Sequence, residues 1–446
     1  MNRSTLVPAW RRIGDLDRLL QPDELARLLR DAGLDVVAAS PEYLRAKPDT
    51  GALLGLSLVL RDPNGRPTEW PAYLRTHDEP RARQLAAKWH AERAVGTPFG
   101  PGVRLLPTGR SVLFLFPNDA ALRGIRFVND RQKLKRALDQ LDALVGDGER
   151  VSGKRTRLET VRYKPERRLI QRARLCITGA DGGEREQGVF LRFFTDGRGA
   201  AIDRLARALR DGPLGDRVPK SFGTVLDGRL HVEAEVQGVP LLDAASGGRA
   251  DARELVALLE DFHRSPAEFL PVVELDGLVA RAGENAQALA FLAPALAGDA
   301  AHVHALLAAA ARECRSDDAP ATLHGDCHVH QFLVGALLLA RRHPDAARHL
   351  DRFGDDVVQR TLRNAPRDAA ARLPFFVASG LLERALLPLR ALAPDGESSA
   401  ADALAMARRC LARTASRATV AAPRFFSGDR FVALHPRSDG PWPGRI

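Results

Sequence analysis

The run His324-Gly325-Asp326-Cys327-His328-Val329-His330-Gln331-Phe332-Leu333 carries one carboxylate, a carboxamide five positions later and an apolar exit. That order suits phosphoryl transfer from ATP. The transition state of such a reaction is loose, so the protein's task is to orient the acceptor hydroxyl and hold magnesium through oxygen ligands. Asp326 is the candidate for the first task, which needs a carboxylate near the reacting oxygen rather than a strongly shifted pKa. Gln331 stands where a metal ligand is needed.

Other chemistries fit less well. Cys327, His328 and His330 with Asp326 offer zinc-binding atoms, but a structural zinc site draws on two separated ligand pairs, and only the isolated Cys314 is at hand. Taken alone, Asp326 also reads as a loop carboxylate capping a turn. No Walker or G-x-G-x-x-G loop occurs, so the P-loop and Rossmann classes have no support.

With 446 residues the chain exceeds what one core usually supports, and two or three domains are expected. The 45% hydrophobic content excludes general disorder. The formal charge of +10 comes mainly from arginines scattered through helices and loops. Nucleic-acid binding favours a basic stripe interleaved with aromatics, so a nucleic-acid partner is not expected. Cys176, Cys314, Cys327 and Cys410 lie far apart without a C-x-x-C pair, which fits a reducing compartment. No signal-peptide pattern and no uncharged apolar run of about 18 residues appears. The expectation is a cytoplasmic protein without a membrane span.

The elements that must position the loop begin with an internal repeat. Lys47-Pro48 recurs as Lys164-Pro165, and the same offset of 117 carries Tyr73-Leu74-Arg75 onto Phe190-Leu191-Arg192. Between these landmarks each copy shows strand, polar Gly-containing turn and strand, through Asp62-Pro63-Asn64-Gly65 in one and Gly179-Ala180-Asp181-Gly182-Gly183 in the other. A further match, at an offset of 119, relates Arg110 and its apolar strand to Arg229 and its own. Each copy is expected to form a small antiparallel sheet with a helix. From Asp251 the apolar spacing turns to three and four, so the rest is expected to be mostly helix. Pro388 must end or kink the helix predicted over Leu373–Leu389, and the tail from Pro436 has turn composition.

Sheet-rich lobe, linker and helical lobe with an embedded His-Gly-Asp loop resemble the aminoglycoside phosphotransferase and choline kinase group, small-molecule kinases with a protein-kinase-like fold. The likeness rests on His324–His328, the linker Ala234-Glu235-Val236-Gln237-Gly238, the helix ending Glu260-Asp261-Phe262-His263 and the segment Leu381–Arg390. It covers residues 160 to about 410. The resemblance implies an α+β, bilobal fold: an antiparallel-sheet small lobe of five strands over 151–240, a helical large lobe over 241–446, and a degenerate small-lobe-like repeat or cap over 1–150. It implies ATP and Mg as cofactors and a small-molecule hydroxyl as substrate, with no membrane partner; the oligomeric state stays open.

The resemblance also implies roles for residues. Asp326 is the catalytic carboxylate, and Arg192 and Glu235 are cofactor-binding. Gln331 is a metal ligand where the group usually has the shorter asparagine. Asp351 is the second metal ligand if Leu350-Asp351-Arg352-Phe353 is the group's magnesium segment; if His343-Pro344-Asp345 aligns with a later stretch, that aspartate is absent. Arg192 replaces the group's lysine, keeping the charge with a planar fork in place of a compact ammonium. These departures keep a second reading open, a catalytically silent kinase-like binding module.

Overall fold

The computed structural model describes residues 11, 13–47, 51–89, 94–265, 274–313, 333–334, 352–353, 356–357, 359–361 and 369–415. The fold is α+β, with two antiparallel sheets and a helical region. Helices α1 (Leu16–Leu19) and α2 (Pro22–Asp31) precede the first sheet. Its strands are β1 (Val36–Lys47), β2 (Gly51–Arg61) and β3 (Pro67–Thr76), then, after helix α3 (Glu79–Lys88), β4 (Val103–Leu105) and β5 (Ser111–Leu115). They lie in the order β1-β2-β3-β5-β4.

Helix α4 (Arg131–Leu138) leads to the second sheet. Here β6 (Arg150–Val151), β7 (Arg157–Lys164), β8 (Arg168–Thr178) and β9 (Glu184–Phe194) precede helix α5 (Arg198–Asp211), and β10 (Ser221–Val225) and β11 (Leu230–Ala234) follow it. The order is β10-β11-β9-β8, with β6 and β7 sharing the outer edge of β8. Six strands therefore stand where five were expected. The extra one arises because a turn closed by the Thr156 N–H on the Ser152 carbonyl, at 3.1 Å, splits the edge strand in two.

The two sheets share their connectivity and their register. All ten partner pairs of the β2–β3 hairpin, from Ala52↔Thr76 to Arg61↔Pro67, recur 117 residues later in β8–β9, from Leu169↔Phe193 to Thr178↔Glu184. On the next strand Arg75↔Val112 corresponds to Arg192↔His231, an offset of 119 for the partner. Equal hairpin lengths produce this identity, because a slip of one residue would turn every side chain to the opposite face.

The helical region runs through β12 (Val239–Pro240), α6 (Leu241–Ser246), α7 (Ala252–Arg264), α8 (Leu275–Leu292), α9 (Ala297–Glu313), β13 (Leu333–Val334), α10 (Ala369–Arg384), α11 (Leu386–Arg390) and α12 (Gly396–Ala415). Asp251 caps α7 by accepting from the Arg253 N–H at 2.8 Å. The chain breaks at Ala385, between α10 and α11. Pro388 has no N–H for the carbonyl four residues back, that of Arg384, and its ring crowds the same position. No described helix is long and apolar enough to cross a membrane.

One contiguous apolar cluster joins both sheets to the helices, from Leu16 to Leu411. In the second sheet its members alternate: Leu169, Ala173 and Leu175 on β8, Val189, Leu191 and Phe193 on β9, Leu230 and Val232 on β11. Residues 122–145 lie against that face. A Cβ at Gly124 would meet the Phe193 ring at 3.4 Å, one at Gly223 would meet Leu141 at 3.2 Å, and the Leu144 carbonyl accepts from Arg185 at 2.8 Å. The opposite face of β8, β9 and β11 carries the polar residues.

Candidate functional site

On that opposite face, pairing sets Ile170, Arg192 and His231 side by side, and next to them Arg172, Phe190 and Glu233. The alternation that buries Leu191 and Phe193 turns Arg192 away from the core. Its guanidinium is held: Arg192 Nε donates to Glu233 Oε1 at 2.7 Å. The Glu233 side chain is 12% exposed, whereas that of Arg192 is 37% exposed. The acid is thus fixed and the arginine keeps an open side, the arrangement needed to offer N–H groups to an incoming phosphate.

Behind Glu233 lies a polar chain that runs from an exposed arginine to buried Ser221 and His231. Arg207 of α5 donates to Asp203 at 2.9 Å, Asp203 accepts from the Ser221 hydroxyl at 2.5 Å, and Ser221 Oγ sits 2.9 Å from His231 Nε2. A serine has one hydroxyl proton, and here it goes to the carboxylate, so His231 donates from Nε2 and keeps Nδ1 as an acceptor. Nδ1 is buried without a hydrogen bond, 3.9 Å from Glu233 Oε2. Burial pushes the His231 pKa below its ordinary value of 6.5 and outweighs the opposing pull of Glu233. A neutral ring leaves Glu233 to Arg192.

Glu235, the first linker residue after β11, closes the site at its other end. Its side chain is 4% exposed and accepts from Arg172 Nε at 2.6 Å, while Arg174 Nη2 stands 3.0 Å from its second oxygen. That oxygen, Oε2, makes no hydrogen bond. Room for the carboxylate exists because position 188 has no side chain: a Cβ on Gly188 would fall 2.3 Å from Oε2. The Glu235 N–H bonds to the Gly188 carbonyl at 3.0 Å, which starts the linker from a fixed point. The site therefore offers arginine forks, an aromatic ring beside them and one buried acceptor, groups that fit a nucleoside phosphate.

Arg192 and Glu235 thus lie at one face of the second sheet, each held by a partner. Asp326, Gln331 and Asp351 lie outside the described residues. The nearest described segment to the first two in sequence is β13, whose Leu333 and Val334 pair antiparallel with Pro240 and Val239 of the linker strand. Sequence reasoning missed Glu233 and His231. The signal was present in Leu230-His231-Val232-Glu233, where apolar and ionisable residues alternate along a strand. Among the described residues no group of three or more His, Cys, Asp or Glu side chains could hold a metal ion.

Comparisons with solved structures return choline/ethanolamine kinase and aminoglycoside phosphotransferase structures. A choline/ethanolamine kinase family protein from Mesorhizobium loti is 15% identical, with a TM-score of 0.39, over 64% of this chain and 98% of its own. APH(2")-IIia, solved with GDP and kanamycin, is 18% identical with a TM-score of 0.37, over 56% and 93%. Choline kinase from Cryptosporidium parvum is 8% identical with a TM-score of 0.38, over 64% and 96%. Similarity of this size assigns neither activity nor substrate to the chain. No protein-family model matches the sequence, and neither does any curated protein.

Proposed function

We propose that this protein is an ATP- and Mg-dependent phosphotransferase acting on a hydroxyl of a small molecule. The observation that carries the reading is the pairing of β12 with β13. It joins the linker that follows Glu235 to the strand that begins two residues after Gln331 in sequence. The nucleotide-facing sheet and the exit of the His-Gly-Asp run thereby share one hydrogen-bonded junction.

In this reading Arg192 takes the phosphates, and Glu233 orients its guanidinium. Protein kinases divide these tasks between a strand lysine and a glutamate on the following helix. Here the carboxylate comes from the neighbouring strand, and Asp203, near the middle of α5, is engaged by Ser221 and Arg207. Phe190, between Arg172 and Glu233, offers a ring face to the base, and Glu235 Oε2 an acceptor for a base N–H. Asp326 orients the acceptor hydroxyl and takes its proton. Gln331 and Asp351 would hold magnesium, which supplies charge neutralisation along the triphosphate.

The test is an ATP-consumption screen over small hydroxyl compounds, with the wild type beside Asp326→Asn. Hydroxyl-dependent ATP loss that falls by about a thousandfold or more in the variant supports the assignment. Equal consumption by both removes Asp326 from the chemistry. A thermal shift with ATP that disappears on chelation reports the metal requirement, and no shift at any magnesium level returns the chain to the silent-module reading.

A further inference from the structure

A second basic site lies between the two sheets, in a cleft of about 760 Å³, a volume suited to a small molecule. Ala52, Leu53 and Phe194 form its apolar part. Arg45, Arg75 and Arg81 reach it from β1, β3 and α3, and Lys164, Arg167 and Arg168 from the tip of the β7–β8 hairpin. Arg198, paired with Asp196 at 2.7 Å, completes the set. Seven cationic side chains thus line the cleft, and Glu166 is the acidic residue of its lining.

That carboxylate is built in. Glu166 has a φ of 56°, in the left-handed region that a non-glycine residue rarely adopts, and its N–H donates to buried Asp119 at 2.8 Å. Its side chain, 8% exposed, accepts from Arg45 at 3.1 Å and Arg75 at 2.5 Å. Burial raises the Glu166 pKa despite both arginines. Arg390 of α11 adds to the positive field: it interacts electrostatically with Arg45 and Arg167, and burial leads the causes that lower its pKa. Charge of one sign gathered in a low-dielectric cleft concentrates counter-ions of the other.

We propose that this cleft, whose lining does not include Arg192, binds a small molecule bearing two or more phosphate groups. Register supports the ligand class. Arg75 occupies in the first sheet the position that Arg192 occupies in the second, opposite Leu53 as Arg192 is opposite Ile170. Around it the face is filled: Tyr73, Val112 and Phe114 stand at the positions of Phe190, His231 and Glu233. Tyr73 stacks on Phe114 at 4.9 Å with planes 8° apart, and Trp89 meets Phe114 edge-on at 5.5 Å. A planar base has no room there, so recognition falls to charge, and arginine forks match phosphate oxygens. Glu166 acts as an internal anion for Arg45 and Arg75, which the ligand displaces or binds beside.

The experiment is isothermal titration of the full chain with inorganic tripolyphosphate, and with ATP in parallel. Wild type is expected to bind tripolyphosphate saturably. Arg81→Ala/Arg167→Ala, both exposed positions, is expected to weaken it about tenfold or more at an unchanged melting temperature. Arg192→Ala is expected to leave tripolyphosphate affinity within about twofold, and Glu166→Gln to tighten it several-fold. Tripolyphosphate binding at least as tight as ATP binding supports recognition of a phosphate chain by charge; a preference for ATP that the double variant loses overturns it, because a base would then be read at this cleft. Absence of binding to the wild type overturns the proposal, as does loss in Arg192→Ala without loss in the double variant. Neither result bears on ATP turnover through Asp326, so the two assignments fail separately.

Discussion

The two sheets repeat one scheme and use the same face in opposite ways. In the second sheet the face toward α5 is polar, with Arg192 on Glu233 and His231 on Ser221. In the first it is an aromatic stack under α3 that keeps a single arginine of the pattern. Identical backbone pairing therefore constrains where side chains point and leaves open what they do. What distinguishes a polar face from a packing face here is a few side chains, among them Phe190 against Tyr73, His231 against Val112 and Glu233 against Phe114.

Substitutions at corresponding positions should expose that contrast. Phe114→Ala, at a fully buried ring, is expected to cost about 3–5 kcal/mol in denaturant unfolding, whereas Glu233→Gln should cost about 1 and act mainly on ATP affinity. Similar stability losses at both would break the comparison. Next in size is Glu166→Ala, which leaves Arg45 and Arg75 without their shared carboxylate; about 2 kcal/mol is expected, discounted for arginines that are 19% and 28% exposed. A loss below about 0.5 would mean that the hairpin tip is not clamped across the sheets.

A smaller effect is expected at Gly188. Gly188→Ala drives a methyl group into the Glu235 carboxylate and should cost about 1 kcal/mol while weakening ATP binding; Pro71, at the same register position of the first sheet, should accept Ala with no effect on ATP. The smallest concerns pH. The unfolded chain takes up a proton on His231 near pH 6.5, while the folded chain resists it because the pKa is lowered. The unfolded state then binds more protons, so stability falls as pH drops below about 6.5. His231→Gln should flatten that part of the profile, read as melting temperature between about pH 5 and 8; an unchanged slope would assign the acid sensitivity elsewhere.

Much of the scaffold was legible in the chain. The Lys-Pro and Arg75/Arg192 landmarks at one offset point to two hairpins with matched register, and Asp251 before an amphipathic run marks the start of α7. The split edge strand was not, because it depends on a local turn that composition does not announce. The site was legible in part. Arg192 stands out by its place in an apolar strand, but Glu233 becomes its partner only through pairing of strands 41 residues apart. Glu166 was hidden for the same reason: its arginines lie 121 and 91 residues upstream, beyond any local pattern. Asp326, Gln331 and Asp351 fall outside the described residues, so their roles rest on sequence alone.

The covering of the second sheet by residues 122–145 also bears on how such a chain can be taken apart. A polypeptide starting at residue 151 would bare the side of β8, β9 and β11 that holds Leu169, Leu175, Leu191, Phe193 and Val232, presenting a greasy wall to water. The front portion is therefore no detachable cassette, and recombination at that boundary would trade solubility for modularity.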